Sequence, residues 1–232
     1  MKKLKNYLSS LHNTTKRNYL FRMNDSKVYC MGIAQKYSKD YWDGNRRYGY
    51  GGYKYIEGRW RLMAKKLIRD YNLTEKSKIL DIGCGKGYLL YEIQKIIPNI
   101  KLYGFDISKY AIKRMQKNSK GKFKVGDIRK KFPYKKKFFD LTISLGVLHN
   151  LLLPEIKHAI SQINFVSKKS YIMVESYRNN KELFNLQCWA LTCKAFYNRK
   201  EWLCIYKQYK FKGDFTQQFA AFKKWLESDR RK

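Results

Sequence analysis

The sequence predicts an α/β protein built on a doubly wound, mostly parallel sheet. Three observations lead there. Short apolar runs alternate with amphipathic stretches from residue 78 to residue 176, the pattern of repeated strand and helix. The first run, KILDIG (78–83), passes straight through a glycine-rich turn into a helical pattern, GCGKGYLLYEI. The chain of 232 residues, 44% hydrophobic and 16% aromatic, can bury one large core.

Residues 1 to about 40 read as a polar, helical extension. YWDGNRRYGYGGYKYIEGRW (41–60) is dense in Tyr, Gly and Arg, and its Gly49, Gly51 and Gly52 suggest a flexible strap. RWRLMAKKLIRDY (59–71) sets Trp60, Met63, Leu67 and Ile68 at helical spacing with lysines opposite. KILDIG is then a buried strand, YLLYEIQKII a helix stopped at Pro98-Asn99, and KLYGFDIS (101–108) a second strand. SKYAIKRMQKNS (108–119) predicts a helix, with Ile112 and Met115 on one face. GKFKVGD and FFDLTISL (138–145) predict strands, PEIKHAISQINFV a helix, and SYIMVES (170–176) a fifth strand. Helices follow at 181–196 and 199–209, then a strand pair in KFKGDFTQQFAAF. The implied organisation is an N-terminal cap over residues 1–60 and a main domain over 61–232.

Composition narrows the class further. No apolar run approaches the roughly 18–20 residues of a membrane span. The N-terminus is basic but has no apolar core or small-residue cleavage site, so it does not read as a secretion signal, and a reducing cytoplasm is expected. Five cysteines without a C-x-x-C pair, beside three histidines, argue against zinc and against a disulfide framework. Fifty-one Lys and Arg face 18 acids, a formal charge of +33. AT-rich codons shared with Asn, Ile and Tyr would account for abundant lysine but not for scarce Asp and Glu, so the charge favours an anionic partner and admits nucleic acid.

The turn after the first strand carries the chemistry. Gly83, Gly85 and Gly87 alternate directly after Asp81. Glycine there lets a ligand approach the backbone, and the following helix aims its N–H groups at an anion. The spacing is G-x-G-x-G, unlike the G-x-G-x-x-G of dinucleotide sites or the G-x-x-x-x-G-K-[ST] of a P-loop.

LDIGCGKG resembles the first motif of class I S-adenosylmethionine-dependent methyltransferases, and the elements after it follow that family in order. The resemblance implies a Rossmann-like sheet of seven strands and S-adenosyl-L-methionine as cofactor. It implies that Asp81, Gly83 and Gly85 hold the methionine part and that Asp106, 25 residues after Asp81, accepts from the ribose. It places Ile107 and Ile128 against the adenine, Asp127 on the adenine amino group, and Leu145 and His149 near the reactive methyl.

The loop LGVLHN (145–150) replaces the [DN]-P-P-[FYW] tetrapeptide of enzymes that methylate base amines, and is similar to the small-molecule branch. His149 is the first candidate for general base, and Glu175 could orient a substrate hydroxyl or pair with Arg178. Arg46, Arg47 and Arg59, with Tyr48, Tyr50 and Tyr53, are candidates to grip an anionic or sugar-like acceptor. No metal is implied. The expected reaction is methyl transfer to O or N of a small, polar or anionic acceptor. The rivals are a nucleic-acid methyltransferase and a catalytically silent nucleic-acid-binding protein of the same fold. RKKFPYKKKFF (129–139) reads as a solvated connection, or as a phosphate-contacting patch with steep salt dependence.

Overall fold

The computed structural model describes Tyr7 and residues 19–219. Three short helices, α1 (Tyr19–Asn24), α2 (Lys27–Ala34) and α3 (Lys39–Asp43), precede an irregular strap, and α4 (Arg61–Tyr71) leads into the sheet region. There β1 (Lys78–Ile82), α5 (Tyr88–Ile96), β2 (Lys101–Asp106), α6 (Lys109–Lys113), β3 (Lys122–Val125) and β4 (Phe139–Leu145) follow in turn. The chain continues through α7 (Leu153–Val166), β5 (Ser167–Ser176), α8 (Asn180–Trp189), α9 (Arg199–Gln208) and β6 (Asp214–Phe219).

The strands stand in the order β3-β2-β1-β4-β5-β6, and every pairing is parallel. Where a seventh strand and a terminal strand pair are expected, the described residues hold six strands, and β6 joins β5 in parallel. The second half of the expected pair lies outside the described residues.

Alternation along β1 distributes the core. Leu80 and Ile82 face one cluster with Ile156, Ile160, Ile163 and Trp202 from α7 and α9, whereas Ile79 faces a second with Met63, Leu67, Leu90 and Ile93 from α4 and α5. Both faces of the sheet are thereby covered, as a parallel sheet requires. Burying a large side chain such as Leu67 or Ile93, both fully buried, contributes about 1.5–3 kcal/mol.

Two predicted helices stop early, each for a tertiary reason. The helix expected over 108–119 ends at Lys113, because the Gln116 amide donates to the Lys86 carbonyl (3.0 Å) instead of continuing the helix. The helix expected through Phe196 ends at Trp189, and the Lys194 and Ala195 amides both donate to the His149 carbonyl (2.9 Å each). That second departure draws residues 190–195 against the carboxyl ends of the strands.

Candidate active site

Because β1 and β4 are neighbours while their connections run to opposite sides, the crevice beyond their carboxyl ends is the switch point of the sheet. Two chambers open there, of about 240 and about 440 Å³. They share Trp42, Tyr50, Gly83, Leu145, Gly146 and Asn150, so they adjoin.

The smaller chamber is lined by Asp106, Ile107, Asp127 and Ile128. Asp106 is held by two backbone amides, Gly85 N (2.9 Å) on Oδ2 and Ser108 N (2.8 Å) on Oδ1. Burial raises its pKa and those two N–H groups oppose the rise. Asp127 is clasped by Arg129, with Nε at 2.9 Å from both oxygens and Nη2 at 2.6 Å. That guanidinium holds its pKa below the usual carboxylate range. The lone pairs expected to receive an adenine amino group are therefore largely taken by Arg129.

The larger chamber is lined by Asp81, His149, Glu175, Arg46, Arg59 and Tyr53, among others. Asp81 is 4% exposed, and among the described residues no donor hydrogen-bonds to its carboxylate. Burial and the neighbouring Asp106 push its pKa up to about 7. His149 is also buried, and its Nδ1 accepts from the Glu175 backbone amide (3.1 Å). In the neutral ring the proton consequently sits on Nε2, 3.9 Å from Glu175 Oε2. Burial lowers the His149 pKa against the pull of Glu175. Glu175 does not pair with Arg178, which is held instead by Glu182.

The glycine turn and the strap lock together. Gly83, Gly85 and Gly87 all take positive φ (74°, 55° and 74°), the region closed to most side chains. A Cβ on Gly85 would stand 2.9 Å from the Trp42 ring, so the strap lies directly on the turn. Trp42 stacks on Tyr50 (5.3 Å between centroids, 19°) and donates from Nε1 to Ser108 Oγ (2.9 Å). Buried Lys86 reaches across to both oxygens of Asp43 and to the Tyr53 carbonyl, each at 2.7 Å. Fully buried Glu92 accepts from the Tyr55 hydroxyl and from the Gly58 amide (3.2 Å). At Gly49 a Cβ would fall 2.1 Å from the Tyr41 carbonyl oxygen, so glycine there permits a tight, bonded loop.

A family model described as Methyltransferase domain matches residues 73–227. The chain belongs to that family. The chain is 27% identical over 122 residues to the mitochondrial arginine-hydroxylase NDUFAF5 of Mus musculus, covering 53% of this chain and 33% of that protein. It is 26% identical over 200 residues to the tRNA U34 carboxymethyltransferase of Nautilia profundicola, covering 75% of this chain and 63% of that one. The chain thus spans about a third of the length of the first of these relatives. Among solved structures it matches the complex between the Haloferax volcanii Trm112 methyltransferase activator and a methyltransferase. That match has 16% identity and a TM-score of 0.53, over 84% of this chain and 77% of that one, a likeness of fold.

The structure gathers most of the residues singled out from sequence, but not all. Asp81, Gly83, Gly85, Leu145, His149 and Glu175 meet in the larger chamber, with Arg46, Arg59, Tyr50 and Tyr53 opposite. Arg47 and Tyr48 line neither chamber. Arg47 pairs with Asp25 at 2.6 Å, and Tyr48 packs on the small cluster of Cys30, Ala34 and Leu191. Arg46 is turned inward by its bonds to the Gly49 (2.6 Å) and Tyr50 (3.0 Å) carbonyls and lies over the Trp189 ring at 5.0 Å. The sequence does not single out Trp42, Asn150, Trp189 or Thr192. Asn150 adjoins His149 in LGVLHN and was within reach, but Trp189 and Thr192 arrive only through the bonds that end α8.

No helix among the described residues is long and apolar enough to cross a membrane.

Proposed function

We propose that this domain transfers a methyl group from S-adenosyl-L-methionine to an O or N atom of a small, anionic or sugar-like acceptor. The observation that carries the reading is Asp81, a buried carboxylate facing the larger chamber without a donor among the described residues. An ammonium group of the cofactor would satisfy it, where otherwise ionisation there is costly. Asn150 supports the same fit: its Oδ1 is buried without a partner and its side chain borders both chambers. Asp106, oriented by two amides, keeps lone pairs for a ribose diol, and Ile107 and Ile128 offer apolar walls for an adenine.

When bound, the cofactor supplies an electrophilic methyl carbon. The protein's part is alignment, exclusion of water and custody of the acceptor's proton. Trp42, Tyr50 and Tyr53 roof the chambers, and Arg46 and Arg59 present cations to the acceptor. Proton custody falls to Glu175. With Nδ1 of His149 occupied by an amide, its Nε2–H is a donor, suited to orient an acceptor oxygen or the Glu175 carboxylate. His149, the candidate base from sequence, is thereby recast as the positioning partner. Titration calorimetry with S-adenosylhomocysteine tests the cofactor reading. Wild type should bind and Asp106→Asn should bind at least about tenfold more weakly; no heat from wild type ends the proposal.

A second reading, transfer to nucleic acid, draws on the +33 charge and on the similarity to a tRNA-modifying relative. Against it stand the absent amine-gripping tetrapeptide and a chamber roofed by the strap. Methyl incorporation into bulk RNA, compared with a small-molecule extract from the same cells, separates the two.

A further inference from the structure

A wholly parallel sheet brings the first residues of all its strands to one edge, here the edge opposite the chambers. Crossing that edge in spatial order from β3 to β6, each strand has a lysine at its first residue or within three residues of it: Lys122, Lys101, Lys78, Lys136, Lys168 and Lys212. Lys78 and Lys101 are direct register partners, like charges side by side. All six are exposed but Lys78, which is half-buried. Of the six, only Lys168 forms an ion pair among the described residues, with Asp140 at 2.9 Å.

Neighbouring strands lie about 4.8 Å apart, so the row is about 24 Å long. Further lysines thicken it. Lys137 is crowded by Lys136 and Lys212, and burial with those like charges lowers its pKa. Such a concentration opposes folding, so composition alone is a poor reason for it to gather on one edge.

Aromatic rings are interleaved with the lysines. The Lys78 ammonium lies over Phe138 at 4.3 Å and Lys124 over Tyr134 at 5.1 Å, and those two rings stack at 6.0 Å. No arginine stands in the row, so nothing in it offers the bidentate fork that reads base edges.

We propose that this strand-foot edge binds the phosphodiester backbone of nucleic acid without regard to sequence, as a docking surface separate from the catalytic chambers. A linear row of point charges fits a linear polyanion, and half-exposed rings beside it offer stacking. The proposal goes beyond the proposed reaction and is independent of which acceptor receives the methyl group.

The test compares two variants with the same change in total charge. One carries Lys101→Gln, Lys122→Gln, Lys136→Gln and Lys212→Gln at the row. The other carries Lys109→Gln, Lys113→Gln, Lys181→Gln and Lys200→Gln, on α6, α8 and α9 near the opposite end of the strands. Binding of a fluorescent single-stranded 20-nucleotide RNA of mixed sequence is followed by anisotropy against KCl. Wild type should bind, and the row variant should lose at least tenfold at about 100 mM salt, with a log–log salt slope shallower by roughly 0.7 per lysine removed. The control variant should lose far less. Equal losses in both variants, no RNA binding by wild type, or tighter binding to phosphatidylserine vesicles than to RNA would each overturn the proposal. Melting temperature verifies folding of both variants. S-adenosylhomocysteine affinity, measured on the same samples, reports separately on the cofactor site and should be unchanged.

Discussion

Asp81 concentrates the electrostatic problem of the site in one residue. Its folded pKa of about 7 lies above the ordinary 3.8, so its contribution to stability is full below 3.8 and is lost as pH rises through about 7. A ligand ammonium reverses that loss by favouring the ionised form. The rise in melting temperature caused by saturating S-adenosylhomocysteine should therefore be larger at pH 8 than at pH 5, and Asp81→Asn should abolish the difference. A pH-independent shift in wild type would separate Asp81 from ligand binding. A second prediction concerns the dyad. Glu175→Gln should lower kcat by about 100-fold or more with cofactor affinity intact, whereas His149→Asn, which keeps a donor, should cost less. The reverse order would return the base to His149.

At the scale of elements, the strap and the glycine turn are joined through a pair of charges. Lys86 has a side chain 6% exposed and Asp43 one that is 26% exposed, and the Tyr110 hydroxyl also donates to Asp43 at 2.8 Å. Removing one charge leaves the other partly buried without its counter-ion. Lys86→Met should destabilise by up to about 3 kcal/mol, discounted for the exposure of Asp43, and the double variant with Asp43→Asn should recover part of that loss. Chemical denaturation of the four proteins in the cycle measures it. Additive losses would mean that the Lys86–Asp43 pair does not hold the strap.

For the whole molecule, hydrogen bonds cross the boundary expected at residue 60. Glu92, fully buried in α5, takes hydrogen bonds from the strap, and Lys86 and the Tyr88 hydroxyl bind the Tyr53 carbonyl (2.7 and 2.8 Å). A chain lacking residues 1–60 leaves buried Lys86 without its Asp43 and Tyr53 partners and strips Glu92 of its strap hydrogen bonds, with Arg61 at 3.5 Å remaining. It should melt at least about 10 °C below the full chain and lose S-adenosylhomocysteine binding, whereas the full chain should melt in one transition. Circular dichroism against temperature checks both. A truncated chain of unchanged stability would make the strap a separable cap.

Strand–helix alternation and the G-x-G-x-G turn could be read from the sequence because both depend on neighbours in the chain. Side-chain period selects strand or helix, and positive φ selects glycine. The acids at the strand ends were legible for the same reason, since β1 and β2 end where the apolar run ends. What folding alone decided are the relations between distant segments. Trp42 lies on Gly85, Asn150 and Thr192 line the same chambers, Arg47 turns away to Asp25, and an amide from β5 sets the tautomer of His149. Those contacts depend on where whole elements pack, and no local pattern encodes that. The lysine row belongs to both levels: each lysine is visible in the sequence, but only parallel pairing of all six strands draws them into a line.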